Sequence, residues 1–228
     1  MIGVTSLALA CGALWPLREF VETAGTRSGN LSRARPAGST PLQWTGAAMP
    51  GAMRALTADG LWLKVYAAWA VRDLPRTEAL LRWVTAVDDR PISFWLNGAR
   101  IIAYDVTEWK LSALDDRRVP LAVRRRVIEA QACAALDHLA AAQKRHPESA
   151  AIWVEMGNIH LYRRGDLPRA ADCYRRAAES PNAPAYAARV HAELLRRLGR
   201  AQEADVWLRR LHPTLPADGQ TPPAIRSK

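Results

Sequence analysis

Residues 153–184 read WVEMGNIHLYRRGDLPRAADCYRRAAESPNAP, and this stretch decides the fold. Apolar and small residues recur every three or four positions on both sides of Gly165, which is the spacing of two amphipathic helices joined by a tight turn. Gly157 and Ala170 are small, so we expect the two helix backbones to approach closely where these residues meet. Tyr174 is expected to fill the wedge beside them. The stretch therefore predicts a helical hairpin.

The turn of this hairpin occurs twice in the chain. Residues 166–169 read DLPR, and the same four residues stand at 73–76. In both places an apolar helix is predicted before the tetrapeptide and an amphipathic helix after it. Pro75 and Pro168 would lie in the first turn of their helices, where a missing amide hydrogen costs nothing. The recurrence indicates internal repetition of helix pairs.

This pattern resembles the tetratricopeptide repeat (TPR), a pair of antiparallel helices in about 34 residues. The resemblance implies an all-α, right-handed helical-repeat solenoid of about four helix pairs at 57–216, behind an N-terminal apolar helix. Its approximate units are 57–91, 92–147, 148–184 and 185–216. The second unit departs from the pattern by an insertion at about 105–120. The third has one extra residue between Gly157 and Gly165, which predicts a longer or distorted first helix.

The N-terminal residues 1–17 carry no charged side chain, and their number is the lower limit for a helix that crosses a bilayer. They predict a membrane anchor or signal segment, with a buried helix of the fold as the alternative. Residues 18–56 have the composition of an irregular linker, and 217–228 are predicted to be a disordered tail. Whether Met1 is the true start and whether Cys11 carries a lipid stay open.

Residues 48–64, AMPGAMRALTADGLWLK, are also similar to a segment of membrane-anchored bacterial TPR proteins of undescribed role. That resemblance implies a bacterial inner membrane as the location. The side of the membrane on which the repeats lie is open, because the basic residues after the apolar run favour the cytoplasm only if no basic residues precede it.

The composition favours a helical body with solvated charged faces. The chain has 228 residues and a formal net charge of +10, and nearly all of the positive charge is arginine. Its basic residues are scattered among acids instead of forming a dense block, so a nucleic-acid surface is not the favoured interpretation. The three cysteines form no CxxC pair, which argues against a disulfide framework and a thiolate metal site. Cys133 and Cys173 fall on apolar helical faces and are predicted core residues.

The sequence carries no recognisable catalytic or cofactor motif. It has no glycine-rich phosphate loop, no HExxH and no CxxCH. Its five histidines lie in separate predicted units without the spacing of metal ligands. His160 and His191 could meet between neighbouring first helices, but packing histidines are the favoured interpretation. We therefore expect no cofactor, no metal ion and no enzymatic activity.

A TPR array presents the first helices of successive units on a concave face that takes up a peptide or helix of another protein. Carried over to this chain, the resemblance places on that face Trp62, Tyr66, Trp69, Trp95, Asn97, Arg100, Tyr104, Asn158, Tyr162, Arg189 and Arg196. For each tryptophan, a place in the core is the alternative, because a tryptophan at helical spacing usually packs inward.

The predicted function is a membrane-tethered scaffold that binds a protein partner, with residues 1–17 as its contact to the membrane. One alternative is an arginine-rich helical-repeat protein that binds RNA, which predicts a continuous positive groove and steep salt dependence. The other is an enzyme without a recognisable motif, which predicts a deep pocket with strongly perturbed titratable groups.

Overall fold

The computed structural model describes residues 50–114 and 119–211, and all regular secondary structure in these ranges is helical. The predicted anchor at 1–17, most of the predicted linker and the predicted tail at 217–228 lie outside the described residues. The chain divides into two compact units, one ending at Arg90 and the other beginning at Pro91.

The first unit contains the helices α1 (Gly51–Ala70) and α2 (Leu74–Val87). The buried residues of α1 recur every three or four positions, so they form one face of the helix. They pack with the apolar face of α2. The shared core consists of Ala58, Leu61, Val65 and Ala68 from α1 with Leu80, Leu81 and Val84 from α2.

The two DLPR turns have the same local structure. Asp73 and Asp166 each accept a hydrogen bond from the amide three residues later, at 3.2 and 3.1 Å, and so cap the following helix. The residue before each aspartate has a left-handed backbone, with φ of 55° at Arg72 and 65° at Gly165. Each proline lies in the first turn of its helix, as the sequence predicts.

The second unit is a series of helices that pack against their neighbours along the chain. Its elements are α3 (Ile92–Arg100), the π-helical turn π1 (Ile101–Asp105), α4 (Val106–Ser112), α5 (Leu121–Arg145), α6 (Ala150–Ile159), the π-helical turn π2 (His160–Arg164), α7 (Leu167–Glu179), α8 (Ala185–Arg197) and α9 (Ala201–Leu211). Helix α5 packs against α3, π1 and α4, α7 packs against α6, and α9 packs against α8. Successive pairs are in contact as well, because α5 packs against α6 and α7 packs against α8.

The close approach predicted at Gly157 is present between α6 and α7. A methyl group added at Gly157 would lie 2.9 Å from two ring carbons of Tyr174 and 3.4 Å from Cβ of Cys173. Tyr174 and Ala170 are both buried beside it. The glycine is therefore needed because the ring of Tyr174 occupies the space of a side chain at 157.

The extra residue between Gly157 and Gly165 is accommodated by a π-helical turn. In π2 the helix widens by one residue and then ends at Gly165. The predicted distortion of this helix is thus confirmed. The same widening occurs in π1, at 101–105, where the helix continues without interruption from α3 into α4. Both widened turns lie in the first helix of a packed pair.

Two helix boundaries differ from the sequence prediction. Helix α1 begins at Gly51, so the last residues of the predicted linker 18–56 are helical. The carbonyl of Pro50 accepts the amide of Arg54 at 3.0 Å and closes the first turn. The first half of the predicted insertion at 105–120 is an extension of its helix, which runs through α4 to Ser112.

Cys173 is buried in α7 as predicted, but the prediction for Cys133 is wrong. Cys133 is exposed on α5, whose buried face is formed by Ala132, Ala135, Leu139 and Ala142. This helix is so rich in alanine that its apolar pattern has little contrast. Among the described helices, none is both long enough and apolar enough to span a bilayer.

Candidate functional site

A buried carboxylate lies where the first helices of two packed pairs meet. Glu155 on α6 is almost completely buried, and its Oε2 atom accepts hydrogen bonds from Nη2 of Arg100 at 2.8 Å and from Nε at 3.0 Å. Arg100 lies at the end of α3, and 54% of its side chain is exposed. The hydrogen bond to Glu155 raises the pKa of Arg100 above its ordinary value. The pair therefore fixes α3 to α6 and holds one guanidinium at the surface.

The two π-helical turns also contact each other through their side chains. The guanidinium carbon of Arg163 in π2 lies 5.0 Å from the ring centroid of Tyr104 in π1, which is a cation–π contact. Burial raises the pKa of Tyr104, so the phenol is protonated at neutral pH.

Arg163 retains hydrogen-bond donors that the described residues do not satisfy. Its Nε and Nη2 atoms are buried and lack a hydrogen-bond acceptor there, and only 15% of its side chain is exposed. The nearest carboxylate oxygen, on Glu108, is 3.6 Å from Nη2, which is beyond hydrogen-bond distance. A charged group with unmet donors is costly to bury, and the carboxylate of Glu108 and the ring of Tyr104 partly offset that cost.

Tyr174 and Asn158 form the next part of the site. The hydroxyl of Tyr174 donates to Oδ1 of Asn158 at 2.6 Å and thereby joins α7 to α6. Burial raises the pKa of Tyr174, and its electrostatic surroundings include Tyr104, Tyr162 and Glu155. This hydrogen bond orients Asn158, which is partly exposed on α6.

Four of the five tyrosines of the chain lie near one another in this unit. Two of them are exposed, Tyr162 at 69% on π2 and Tyr186 at 45% on α8. Both influence the buried Tyr174 electrostatically, and Tyr186 also influences Arg100. We refer to this set as the tyrosine face; it comprises Arg100, Tyr104, Glu155, Asn158, Tyr162, Arg163, Tyr174 and Tyr186.

The structure brings together four of the predicted site residues, Arg100, Tyr104, Asn158 and Tyr162. Arg189 is exposed on α8, three residues after Tyr186, and no pairing of its charge is seen among the described residues. Arg196 is drawn towards α9, where its Nη2 atom lies 2.9 Å from Oδ1 of Asp205. Asn97 is partly buried on α3.

Trp95 does not lie on an exposed face, and its prediction as a groove residue is wrong. It is 8% exposed and packs against His138 of α5, with ring centroids 4.9 Å apart. Trp95 is a core residue, which was the alternative interpretation of the sequence.

Trp62, Tyr66 and Trp69 belong to the first unit. Trp62 and Tyr66 contact each other edge to face, with ring centroids 5.5 Å apart. Tyr66 and Trp69 are exposed on α1, and Trp62 is half-buried.

Sequence reasoning missed Glu155, Arg163 and Tyr186. Glu155 has the appearance of an ordinary surface charge, and its partner Arg100 is 55 residues away in the chain. Arg163 is turned towards π1 by the widened helical turn. One signal was available for Tyr186, because it lies at the start of the first helix of the last predicted unit, and first helices form the predicted binding face.

The described residues contain no group of His, Cys, Asp and Glu that could hold a metal ion. Burial raises the pKa of Cys173 to about 11, so its thiol is protonated at neutral pH and is a poor nucleophile. His191 contacts Trp207 edge to face at 4.7 Å, and its Nδ1 lies 2.8 Å from the carbonyl of Ala171. It therefore packs between α7 and α9.

No protein-family model matches the chain, and a search of curated proteins finds no relative.

We expect protonation of His138 to destabilise the protein in acid. Burial lowers its pKa to about 4, against an ordinary value of 6.5, so the unfolded chain takes up the proton first. This contribution to the unfolding free energy is therefore complete above about pH 6.5. It is lost as the pH falls towards 4, by roughly 3 kcal/mol. Urea unfolding of the wild type and of His138→Phe should diverge over this range, with the flatter pH dependence in the variant. Parallel curves would contradict the assignment.

Proposed function

We propose that this chain is a TPR-like helical-repeat scaffold that binds an extended segment of another protein on the tyrosine face. We also propose that residues 1–17 tether it to a membrane, and a bacterial inner membrane is the location that the sequence resemblance favours. Helix pairs of this kind host many functions, so the proposal depends on the tyrosine face and not on the fold.

A regular offset within the second unit supports the repeat interpretation. Gly98 and Gly157 are both buried and stand 59 residues apart, and π1 and π2 are separated by the same distance. The pairs α6 with α7 and α8 with α9 then follow with turns of a few residues. Such pairs bury a continuous core when they stack, which is the principle of a solenoid.

The observation that carries the binding function is the exposure of Tyr162 and Tyr186 beside ordered polar groups. Tyrosine is enriched at the centres of protein interfaces, because its ring buries a large area and its hydroxyl still forms a hydrogen bond. Here the exposed rings stand next to Arg100 and Arg163, which are held in place by Glu155 and Tyr104. A peptide with one acidic side chain would cover the rings and pair with the exposed part of the Arg100 guanidinium.

The pairing of the arginines favours a protein partner over RNA. Many arginines of the second unit form ion pairs with acids, among them Arg164 with Glu129 and Arg175 with Asp172 and Glu179. An RNA-binding surface needs cations that are available to neutralise phosphates. At these positions the positive charge is instead compensated within the protein.

The test is site-specific photo-crosslinking in cells. A photoreactive phenylalanine analogue at Tyr162 is expected to form one defined protein adduct in the full-length chain. The matched control carries the same analogue at Val206, which is 53% exposed on α9, and is expected to give no such adduct.

Two results would contradict the proposal. One is the same set of weak adducts from positions 162 and 206, which would indicate random collisions. The other is adducts with nucleic acid alone that disappear at moderate salt, which would support the RNA-binding alternative.

A further inference from the structure

Helix α1 is apolar on two opposite faces, and α2 covers only one of them. The covered face contains Leu61 and Val65. On the other side of the helix, roughly 150° away at 100° per residue, lies a second apolar row. We call it the α1 stripe; it comprises Met53, Leu56, Gly60, Leu63, Ala67 and Ala70.

The α1 stripe is exposed along its whole length. The exposed fractions of Leu56 and Leu63 are 73% and 70%, and Met53 is 42% exposed. Isolated exposed leucines are normal, but a continuous row without a charge over about 25 Å of helix is not. The row therefore indicates a surface for an apolar partner.

The spacing of the stripe is that of a coiled coil. Its residues alternate in steps of three and four, so Met53, Gly60 and Ala67 occupy the a positions of a heptad. Leu56, Leu63 and Ala70 occupy the d positions. Two of the three d positions are leucine, the residue that two-stranded coiled coils commonly carry there.

Gly60 gives independent evidence for close approach by a second helix. A glycine in the middle of a helix lowers its stability relative to alanine. Gly60 has no positive φ that would require it, and a methyl group added there would meet no atom within 4 Å. Nothing among the described residues therefore explains the glycine. A partner helix would explain it, because a small residue at an a position lets two backbones approach.

The charges beside the stripe are complementary to those of a second copy of this chain. Asp59 is at the g position and Lys64 at the following e position. Both side chains are exposed, and no ion pair of either is seen among the described residues. In a parallel pair in register, Asp59 of each copy faces Lys64 of the other, and the two-fold axis forms this ion pair twice.

We propose that the α1 stripe is a self-association surface on which two copies of the chain form a parallel, two-stranded coiled coil. The contact is short and has small residues at two of its three a positions, so the dimer is expected to be weak and reversible. This surface lies in the first unit and is independent of the partner-binding function proposed for the tyrosine face.

Sedimentation of the full-length chain in mild detergent tests the proposal over concentrations of about 1 to 300 µM, the range of a weak interface. We expect a monomer–dimer equilibrium. Leu63→Glu should leave only monomer, because the variant places a carboxylate in the apolar seam. Leu121→Glu is the matched control: Leu121 is 62% exposed at the start of α5, and its replacement should leave the equilibrium unchanged.

Charge reversal tests the register. Asp59→Lys alone or Lys64→Asp alone should weaken association by about tenfold at low salt, since each places like charges opposite one another. An equimolar mixture of the two variants should form a heterodimer at least as well as the wild type. In a mixture of ¹⁴N- and ¹⁵N-labelled wild type, a zero-length carbodiimide reagent should join Asp59 of one copy to Lys64 of the other.

Three outcomes would overturn the proposal. The first is a monomer over the whole concentration range. The second is an association that Leu63→Glu does not change, which would assign it to another surface. The third is binding of the monomer to phosphatidylglycerol vesicles that is lost in Leu63→Glu, which would mean that a membrane covers the stripe.

Discussion

Replacing Tyr162 and Tyr186 together by alanine is expected to weaken partner binding by at least about a hundredfold. Exposed aromatic residues that become buried in an interface commonly account for about 2 kcal/mol or more each, and a factor of ten in affinity corresponds to about 1.4 kcal/mol. Both rings lie on first helices of neighbouring pairs, so a single extended segment can cover both. The measurement is the dissociation constant of the crosslinked partner, determined by calorimetry with the purified proteins.

The double substitution should leave folding nearly unchanged, and this separates binding from stability. The ring of Tyr162 is 69% exposed and that of Tyr186 is 45% exposed, so their removal creates little internal space. Alanine at Val206, on the exposed side of α9, is the matched control and should leave the affinity as it is. An unchanged affinity in the double variant would show that the partner binds elsewhere.

The helical hairpins could be predicted from the sequence because their signals are local. The DLPR turn contains its own cap, since Asp166 and the amide that it binds are three residues apart. Gly157 and Tyr174 lie on the two helices of one pair, which a short turn joins. Their contact therefore follows from helical spacing. The extra residue before Gly165 predicted a distortion, and a π-helical turn is the form that the distortion takes.

The boundaries that sequence reasoning misplaced have weak local signals. Residues 48–56 contain Pro50 and Gly51, which resemble the linker before them, yet α1 begins at Gly51. The alanine-rich α5 carries apolar residues on nearly every side. The sequence therefore does not show whether Cys133 lies on the buried or the exposed side of this helix. Hydrophobic periodicity predicts the buried face of a helix only when apolar residues are confined to one side and polar residues to the other.

The candidate site was harder to predict because it depends on contacts between distant residues. Trp95 and Arg100 share one short helix, and the sequence alone placed both in a groove. Which of them faces the core depends on how α5 and α6 pack, and the structure turns Trp95 to His138 and Arg100 to Glu155. Burial of Glu155 is the result of tertiary packing, and no pattern within α6 distinguishes it from a solvated glutamate.

Arg100→Met is expected to lower the free energy of unfolding by about 2 kcal/mol, because it leaves the carboxylate of Glu155 buried without its cation. Loss of one partner from a fully buried pair costs about 3 to 5 kcal/mol, and the smaller value is expected because Arg100 is half exposed. The measurement is urea unfolding at neutral pH, and the slope of the free energy with urea should not change.

A double variant and a matched control show whether the loss of stability arises from the burial of Glu155. Arg100→Met with Glu155→Met removes both charges and should recover most of the lost stability, since no polar atom of the pair is then left unsatisfied. Arg164→Met breaks the pair with Glu129, whose carboxylate is 48% exposed, and should cost less than about 1 kcal/mol. Equal losses in Arg100→Met and Arg164→Met would mean that water reaches Glu155, and the pair would then not be what holds α3 to α6 beneath the exposed tyrosines.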